Sequence, residues 1–191
     1  MHVLNILSSH YPQSFNSVLM DAFNKALSKY GHTYETIDLY QINFDPVMKG
    51  DDFNQFMNKP IPAEILNYQE KIKVADVITF FYPVWWCDMP AIMKGWIDRV
   101  FAKGFAYDIN NDEANGLLVG KKAILVCTLG NKTDNPNTEK LEDSMRFKYD
   151  FGVFEYCGFE SVNHHFLYDV YASEAVRNNY LKLMNQIAEK L

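Results

Sequence analysis

FFYPVWWCDMPAIMKGWIDRVFAKGFAY, residues 80–107, carries a strand, a loop and a helix in one passage. An apolar run over residues 77–82 stops at Pro83, and two tryptophans and a cysteine follow. Pro90 then opens a segment in which Ile92, Met93, Trp96, Ile97, Val100 and Phe101 recur at helical spacing. The pattern predicts a buried strand, a short aromatic loop, and a helix with proline at its first position, where a missing N–H costs nothing. A strand that delivers planar side chains to its carboxyl end, just ahead of a helix, suits a flat ligand. Tryptophan is also usually well buried, so core packing of Trp85 and Trp86 accounts for the same letters. The neighbouring segments separate the two readings.

Before this passage, residues 63–74 are moderately amphipathic and predict a helix. Residues 40–62 form a long, proline-bearing connection of mixed charge, and loops of that length in a compact domain are functional or wrap the surface. Residues 33–39 alternate and carry β-branched side chains, which predicts a second strand. Leu19, Phe23, Ala26 and Leu27 mark the inner face of a first helix that stops near Gly31. Residues 3–7 are a short apolar first strand. After the passage, residues 108–120 are polar and turn-rich, while residues 122–128 (KAILVCT) are apolar throughout their interior and predict a central strand. Residues 129–137 read as a loop, 138–157 as a helix that Gly152 weakens, and 161–167 as a fifth strand. Ser173 caps a last amphipathic helix through Leu181, Met184 and Ile187.

Such alternation predicts an α/β fold: a doubly wound, five-stranded parallel sheet of order 2-1-3-4-5 with helices on both faces. With 191 residues, 48% of them hydrophobic, and no repeat, linker or low-complexity tract, residues 1–191 form a single domain. The net charge of −6 argues against a nucleic-acid binder held by phosphate neutralisation. No segment approaches the roughly 18 continuous apolar residues of a membrane span. The chain opens at once on a strand, without a basic region and cleavage site, so a cytoplasmic protein is expected. Cys87, Cys127 and Cys157 form no CxxC pair or metal-finger pattern, and no metal site is expected. Cys127 and Cys157 sit in apolar runs as small core residues. Cys87 lies in the aromatic loop with no base near it in sequence, which argues against a nucleophile.

In the order 2-1-3-4-5, strands 1, 3 and 4 are central neighbours, and ligands sit beyond their carboxyl ends. The loops there are residues 8–16, 83–89 and 128–135. In the first, Ser14, Asn16 and free backbone N–H groups at a helix start can hold a phosphate. The segment is neither a Walker A sequence nor GxGxxG, and for Ser14 or Asn16 taken alone a plain helix cap is the better account. His10 is a second phosphate donor or an exposed histidine without a duty. In the second loop, backbone groups of Pro83, Val84, Trp85, Trp86 and Cys87 can bond the edge of a planar ring while an indole packs on or beside its face. In the third, Thr128 offers a hydroxyl beside Leu129, and Gly130, followed by Asn131, permits close backbone approach. Phosphate at one end and a ring between two loops point to a flavin nucleotide.

These residues resemble the NAD(P)H:quinone oxidoreductases of the flavodoxin-like fold, in particular the short bacterial members, over most of the chain. Ser14-Phe15-Asn16 is similar to the family's flavin-diphosphate motif, with His10 near its loop histidine and the loop one residue shorter. Asp38-Leu39-Tyr40, then Asn43-Phe44-Asp45-Pro46, resembles a DLY…NFxP segment. The signature is matched by Tyr82-Pro83-Val84-Trp85-Trp86, by the PAIMKGWIDRV run from Pro90 to Val100, and by Gly104-Phe105-Ala106-Tyr107.

The resemblance implies a homodimer with one flavin per subunit at the interface. It places the Pro90 helix there and has Tyr107 reach the partner's pocket; in sequence, a buried aromatic at a helix end looks the same. It implies two-electron, ping-pong hydride transfer from NAD(P)H to a quinone, with Trp86, Tyr107 and Gly130 around the reacting ring. One departure stands out. Family members often follow T-x-G-G with a tyrosine, and some with a histidine, near the flavin pyrimidine; here Asn131 follows Gly130, and Lys132 or backbone N–H groups are left to meet the charge. Arg177 lies near where FAD-dependent relatives place an arginine by the adenine end, which inclines the choice to FAD over FMN, although a surface arginine looks the same. Two rivals share the fold: a flavodoxin-type electron carrier, and a flavoprotein regulatory subunit of a potassium-efflux transporter. The first loop lacks the carrier's TxTGxT pattern. A receiver-type signalling domain is set aside because no acidic pair follows the first strand.

Overall fold

The computed structural model describes residues 1–57, 59–110 and 113–191. Five parallel strands make the main sheet: β1 (His2–Leu7), β2 (Thr33–Asp38), β3 (Val77–Pro83), then β6 (Lys122–Thr128) and β7 (Ser161–Leu167). Their order is β2-β1-β3-β6-β7, the 2-1-3-4-5 arrangement when only the parallel strands are counted. β4 (Tyr107–Asn110) and β5 (Glu113–Gly116) form a separate antiparallel pair. Helices α1 (Phe15–Lys29), α2 (Ala63–Val74), α3 (Ala91–Val100), α4 (Thr138–Met145) and α5 (Glu174–Glu189) cover the sheet.

β3 is buried on both faces because it has no polar face to offer: VITFFYP is apolar but for Thr79. Phe80 and Tyr82 pack into one core with Trp96, Ile97 and Leu125. Phe81 packs into the other with Phe23, Val126 and Met184, between α1 and α5. Thr79 is buried but spends its hydroxyl on Asn5 Oδ1, and Asn5 in turn donates to Asn24 of α1 at 2.6 Å.

Four features depart from the sequence expectation. Pro90 is the residue before α3, extended at ψ 146°, and not its first helical residue; its carbonyl accepts from Met93 and Lys94. The β4–β5 hairpin starts at Tyr107 and runs into residues 108–120, and its turn falls outside the described residues. It is held by non-local packing: Leu118 N–H donates to the Cys157 carbonyl at 2.9 Å, and a Cβ on Gly116 would sit 2.2 Å from Gly158 N. The expected 138–157 helix is regular only to Met145 and widens into a π-helix over Arg146–Glu155, which contains Gly152. Finally, the long 40–62 connection carries a 3-10 helix, Gly50–Met57.

That connection is clamped to α3. Arg99, 2% exposed, donates from Nε to Asp52 Oδ2 at 2.9 Å and from Nη2 to Asp52 Oδ1 at 3.2 Å. Its Nη1 donates to the Asp45 carbonyl at 2.7 Å. Burial pulls the Arg99 pKa down, but Asp52, with help from the Glu64 and Asp45 carboxylates, outweighs it and holds the guanidinium above its ordinary value. Gly95 permits the contact, since a Cβ there would meet the Pro46 carbonyl at 2.3 Å.

Candidate active site

β1, β3 and β6 end side by side, with Leu7 paired to Phe81 and Pro83 to Thr128. The loops leaving them therefore emerge at one edge. In the first, Ser14 is the cap of α1, accepting from Ser17 N–H at 3.2 Å. Ser9 Oγ donates to Ser14 Oγ and fixes the loop. Asn16 is buried and donates from Nδ2 to Thr128 Oγ1 at 2.9 Å, binding the first loop to the third. Its Oδ1 and the Ser8 hydroxyl are buried without a partner, and buried polar atoms of this kind call for one. The Phe15 and Asn16 amides are also unpaired among the described residues, as expected at a helix start.

The second loop is a two-residue turn. Trp85 and Asp88 exchange both backbone hydrogen bonds, at 2.8 and 3.0 Å, around Trp86 and Cys87. Both central residues are left-handed, with φ 50° and 61°. Such a turn normally takes Asn-Gly; a non-glycine residue held there costs about 1–3 kcal/mol and points to a functional constraint. Trp85 is 40% exposed and Trp86 fully so, which removes the core-packing reading of the two indoles. The Trp86 and Cys87 amides make no hydrogen bond among the described residues.

Asp88 anchors the turn to the π-helix, accepting from Lys148 Nζ at 2.7 Å and from the Tyr149 hydroxyl. Burial pushes the Asp88 carboxyl up, but Lys148, Tyr149 and the Met89 amide together hold it below the usual carboxylate range. Burial and the Asp88 carboxylate push the Tyr149 phenol far up, so it stays a donor.

In the third loop, Leu129 N–H donates to the Leu167 carbonyl at 2.8 Å, and the Asn131 carbonyl accepts from Asp169 at 2.9 Å. The Gly130, Asn131 and Lys132 amides have no partner among the described residues. A Cβ on Gly130 would lie 3.1 Å from the Tyr171 ring. Arg177 donates to the Val170 carbonyl at 3.4 Å, at the same edge. Cys87 and Asn131 share the wall of a cavity of about 420 Å³ with Asn137, Thr138 and Leu141.

The fold thus gathers His10, Ser14, Phe15, Asn16, residues 83–87, residues 128–131 and Arg177 at one edge. His10 meets Trp85 with ring centroids 5.3 Å apart. Tyr107 stands apart, on β4 rather than at a helix end, half-buried against Tyr156 at a centroid distance of 5.3 Å. Sequence reading missed Asp88, Lys148 and Tyr149, because their contact spans sixty residues and leaves no local pattern. It also missed a buried array in which His164 donates from Nδ1 to Asp150 Oδ1 at 2.9 Å and accepts the Tyr82 hydroxyl on Nε2 at 3.1 Å. Cys127 lies 3.7 Å from the same nitrogen, but burial raises its pKa well above the ordinary value, so it is a thiol without access to substrate. Among the described residues no cluster of His, Cys, Asp and Glu could hold a metal ion.

This arrangement offers amide and hydroxyl donors at a helix start, a planar aromatic turn with free amides, and a glycine loop with three more. It suits a cofactor carrying a phosphate at one end and a flat polar ring at the other. The family model described as flavodoxin-like fold matches residues 1–191. An "uncharacterized NAD(P)H oxidoreductase" of Haemophilus influenzae is 31% identical over 170 residues, covering 89% of this chain and 84% of that protein. The mouse "ribosyldihydronicotinamide dehydrogenase [quinone]" is 31% identical over 178 residues, covering 83% of this chain and 77% of its own. The solved NAD(P)H:quinone oxidoreductase from Methanothermobacter marburgensis superposes with a TM-score of 0.87 at 29% identity, over 99% of this chain and 96% of that one.

Proposed function

Because this chain belongs to the NAD(P)H:quinone oxidoreductase family of flavodoxin-like fold, we propose that it is a flavin-dependent oxidoreductase. It takes hydride from NAD(P)H and reduces quinones, or similar flat electrophiles, in alternating half-reactions. The observation that carries this reading is the left-handed Trp86–Cys87 turn, which holds exposed aromatic surface and unpaired amides between two other donor-bearing loops. A bound flavin supplies the chemistry of accepting and passing on a hydride. The chain's own task is to bind, orient and polarise.

In this proposal Ser14, Asn16 and the amides of the α1 start, with His10 nearby, hold the phosphate. Residues 83–87 hold one edge of the ring, with Trp85 and Trp86 bounding the slot where donor and acceptor alternate. The Gly130, Asn131 and Lys132 amides meet the negative charge that accumulates on the ring; oriented donors need no reorganisation as charge develops. This replaces the tyrosine or histidine that the third loop lacks. Arg177 favours FAD over FMN.

Homodimer formation completes the site. Met48, Phe53 and Phe56 on one side, and Phe147, Phe151 and Tyr156 on the other, expose 42 to 69% of their surfaces. Tyr107 and Phe101 line the clefts that meet both groups. Apolar surface of this extent supports a partner, and a second copy covering it brings its Tyr107 to the neighbouring slot. No helix among the described residues is long and apolar enough to cross a membrane.

Steady-state rates with NAD(P)H and menadione test the reading. Parallel double-reciprocal lines across acceptor concentrations are expected, and intersecting lines contradict alternation in one slot. Mass spectrometry of the released cofactor distinguishes FAD from FMN.

A further inference from the structure

A cavity of about 560 Å³ lies at the opposite end of the sheet from the site. Its walls come from Gln55 and residues 59–61 of the long connection, from α2, from the segment after α3, and from residues just before β6. Ile61, Phe105 and Leu118 make an apolar floor, and Lys59, Lys73 and Lys121 stand around it. No aspartate or glutamate lines it, in a chain where acidic residues outnumber basic ones by 24 to 18.

Two of these cations lack a counterion. Lys73 pairs with Glu70 at 2.7 Å, but Lys59 and Lys121 have no carboxylate within ion-pair distance among the described residues. Lys121 is partly buried and donates to the Lys73 and Ala75 carbonyls at 2.9 and 2.7 Å, closing the end of α2 and leaving one of its three hydrogens free. Burial lowers its pKa, outweighing the Asp76 carboxylate, which lies beyond ion-pair distance and pulls it up. The Lys59 turn is tied down through Lys59 N–H to the Asn54 carbonyl at 2.9 Å and Asn54 Nδ2 to the Pro60 carbonyl at 2.8 Å.

We propose that this cavity is a second binding site, for a small amphipathic anion with an apolar chain or ring and a single carboxylate. The apolar body lies on Ile61, Phe105 and Leu118, and the carboxylate accepts from Lys59 and Lys121. None of these residues belongs to the site at the carboxyl edge, so the two sites can be filled together.

Decanoate titrated into the protein as purified, followed by backbone amide chemical shifts, tests this. Saturable shifts are expected at Gln69, Phe105, Leu118 and Lys121, with residues 83–87 and 128–131 unmoved. Decanol, which lacks the charge, is expected to bind about tenfold more weakly, the loss of a charge-assisted hydrogen bond. Lys59→Gln, on an exposed turn, is expected to weaken decanoate by a similar factor at unchanged melting temperature. Absence of saturable shifts, shifts centred on residues 83–87, or decanol binding as tightly as decanoate overturns the proposal. These outcomes do not depend on which flavin the carboxyl-edge site takes.

Discussion

Asn16 Nδ2 donates to Thr128 Oγ1 at 2.9 Å, joining residues 112 positions apart across the carboxyl edge of the sheet. The bond ties the start of α1 to the loop after β6, so the phosphate end and the ring end of the proposed site are held in one frame. Both side chains are buried, and Asn16 already has one unpaired oxygen.

Thr128→Val keeps the shape and removes the acceptor. It leaves the Asn16 amide without its partner, a cost of about 1–3 kcal/mol. Urea denaturation is expected to show this loss, together with flavin affinity about tenfold weaker by fluorescence titration. Unchanged affinity would detach this bond from cofactor binding.

The left-handed turn makes an opposite prediction. Glycine adopts φ 61° freely, so Cys87→Gly is expected to raise stability by about 1 kcal/mol. Trp86→Gly relieves similar strain but removes the exposed indole, and kcat/KM for menadione is expected to fall at least tenfold while the melting temperature does not. If both substitutions destabilise the fold, the turn is not strained.

Residues 80–107 and the order of the five parallel strands were legible because hydrophobic runs, prolines and Gly31 report local geometry. The three loops were legible because strand order alone brings their ends together. The hairpin was not: Tyr107-Asp108-Ile109-Asn110 alternates over four residues only, its partner Glu113-Ala114-Asn115-Gly116 carries no strand signal, and what orders the pair is the approach of Gly116 to Gly158, a contact between distant residues. The π-helix was half visible in Gly152. Asp88 gave no sign of its role, since an aspartate after Cys87 reads as a turn residue, and only the fold delivers Lys148 and Tyr149 to it.

Asp52→Ala tests what the long connection contributes. It leaves the buried Arg99 charge with only the half-exposed Glu64 carboxylate, 3.7 Å from Nη1, as an ion-pair partner, and breaking a buried pair costs about 3–5 kcal/mol. A fall of that size in urea stability is expected. Replacing both partners by apolar residues is expected to recover part of it, and a loss under 1 kcal/mol in the single variant contradicts the clamp.

His164 sets a pH dependence. Burial lowers its pKa below 6.5 in the folded protein, against the opposing pull of Asp150. The unfolded chain therefore takes up a proton at about pH 6.5 that the folded chain refuses, so stability is fully present above that pH and is lost as pH falls below it. A loss of stability as pH falls below about 6.5 is expected, with a flatter profile in His164→Gln. An unchanged slope in that variant would move the effect to other groups, among them His165, which burial also lowers.

The central claim is that one flavin at the carboxyl edge passes a hydride from NAD(P)H to a quinone without leaving the protein. Anaerobic stopped-flow absorbance of the purified, flavin-loaded protein tests it most directly. Mixing with NADPH or NADH is expected to bleach the flavin band in one two-electron step, and menadione added afterwards to restore it at a rate matching turnover. A protein that binds no flavin, or a flavin that bleaches only when a separate reductase is supplied, contradicts the account.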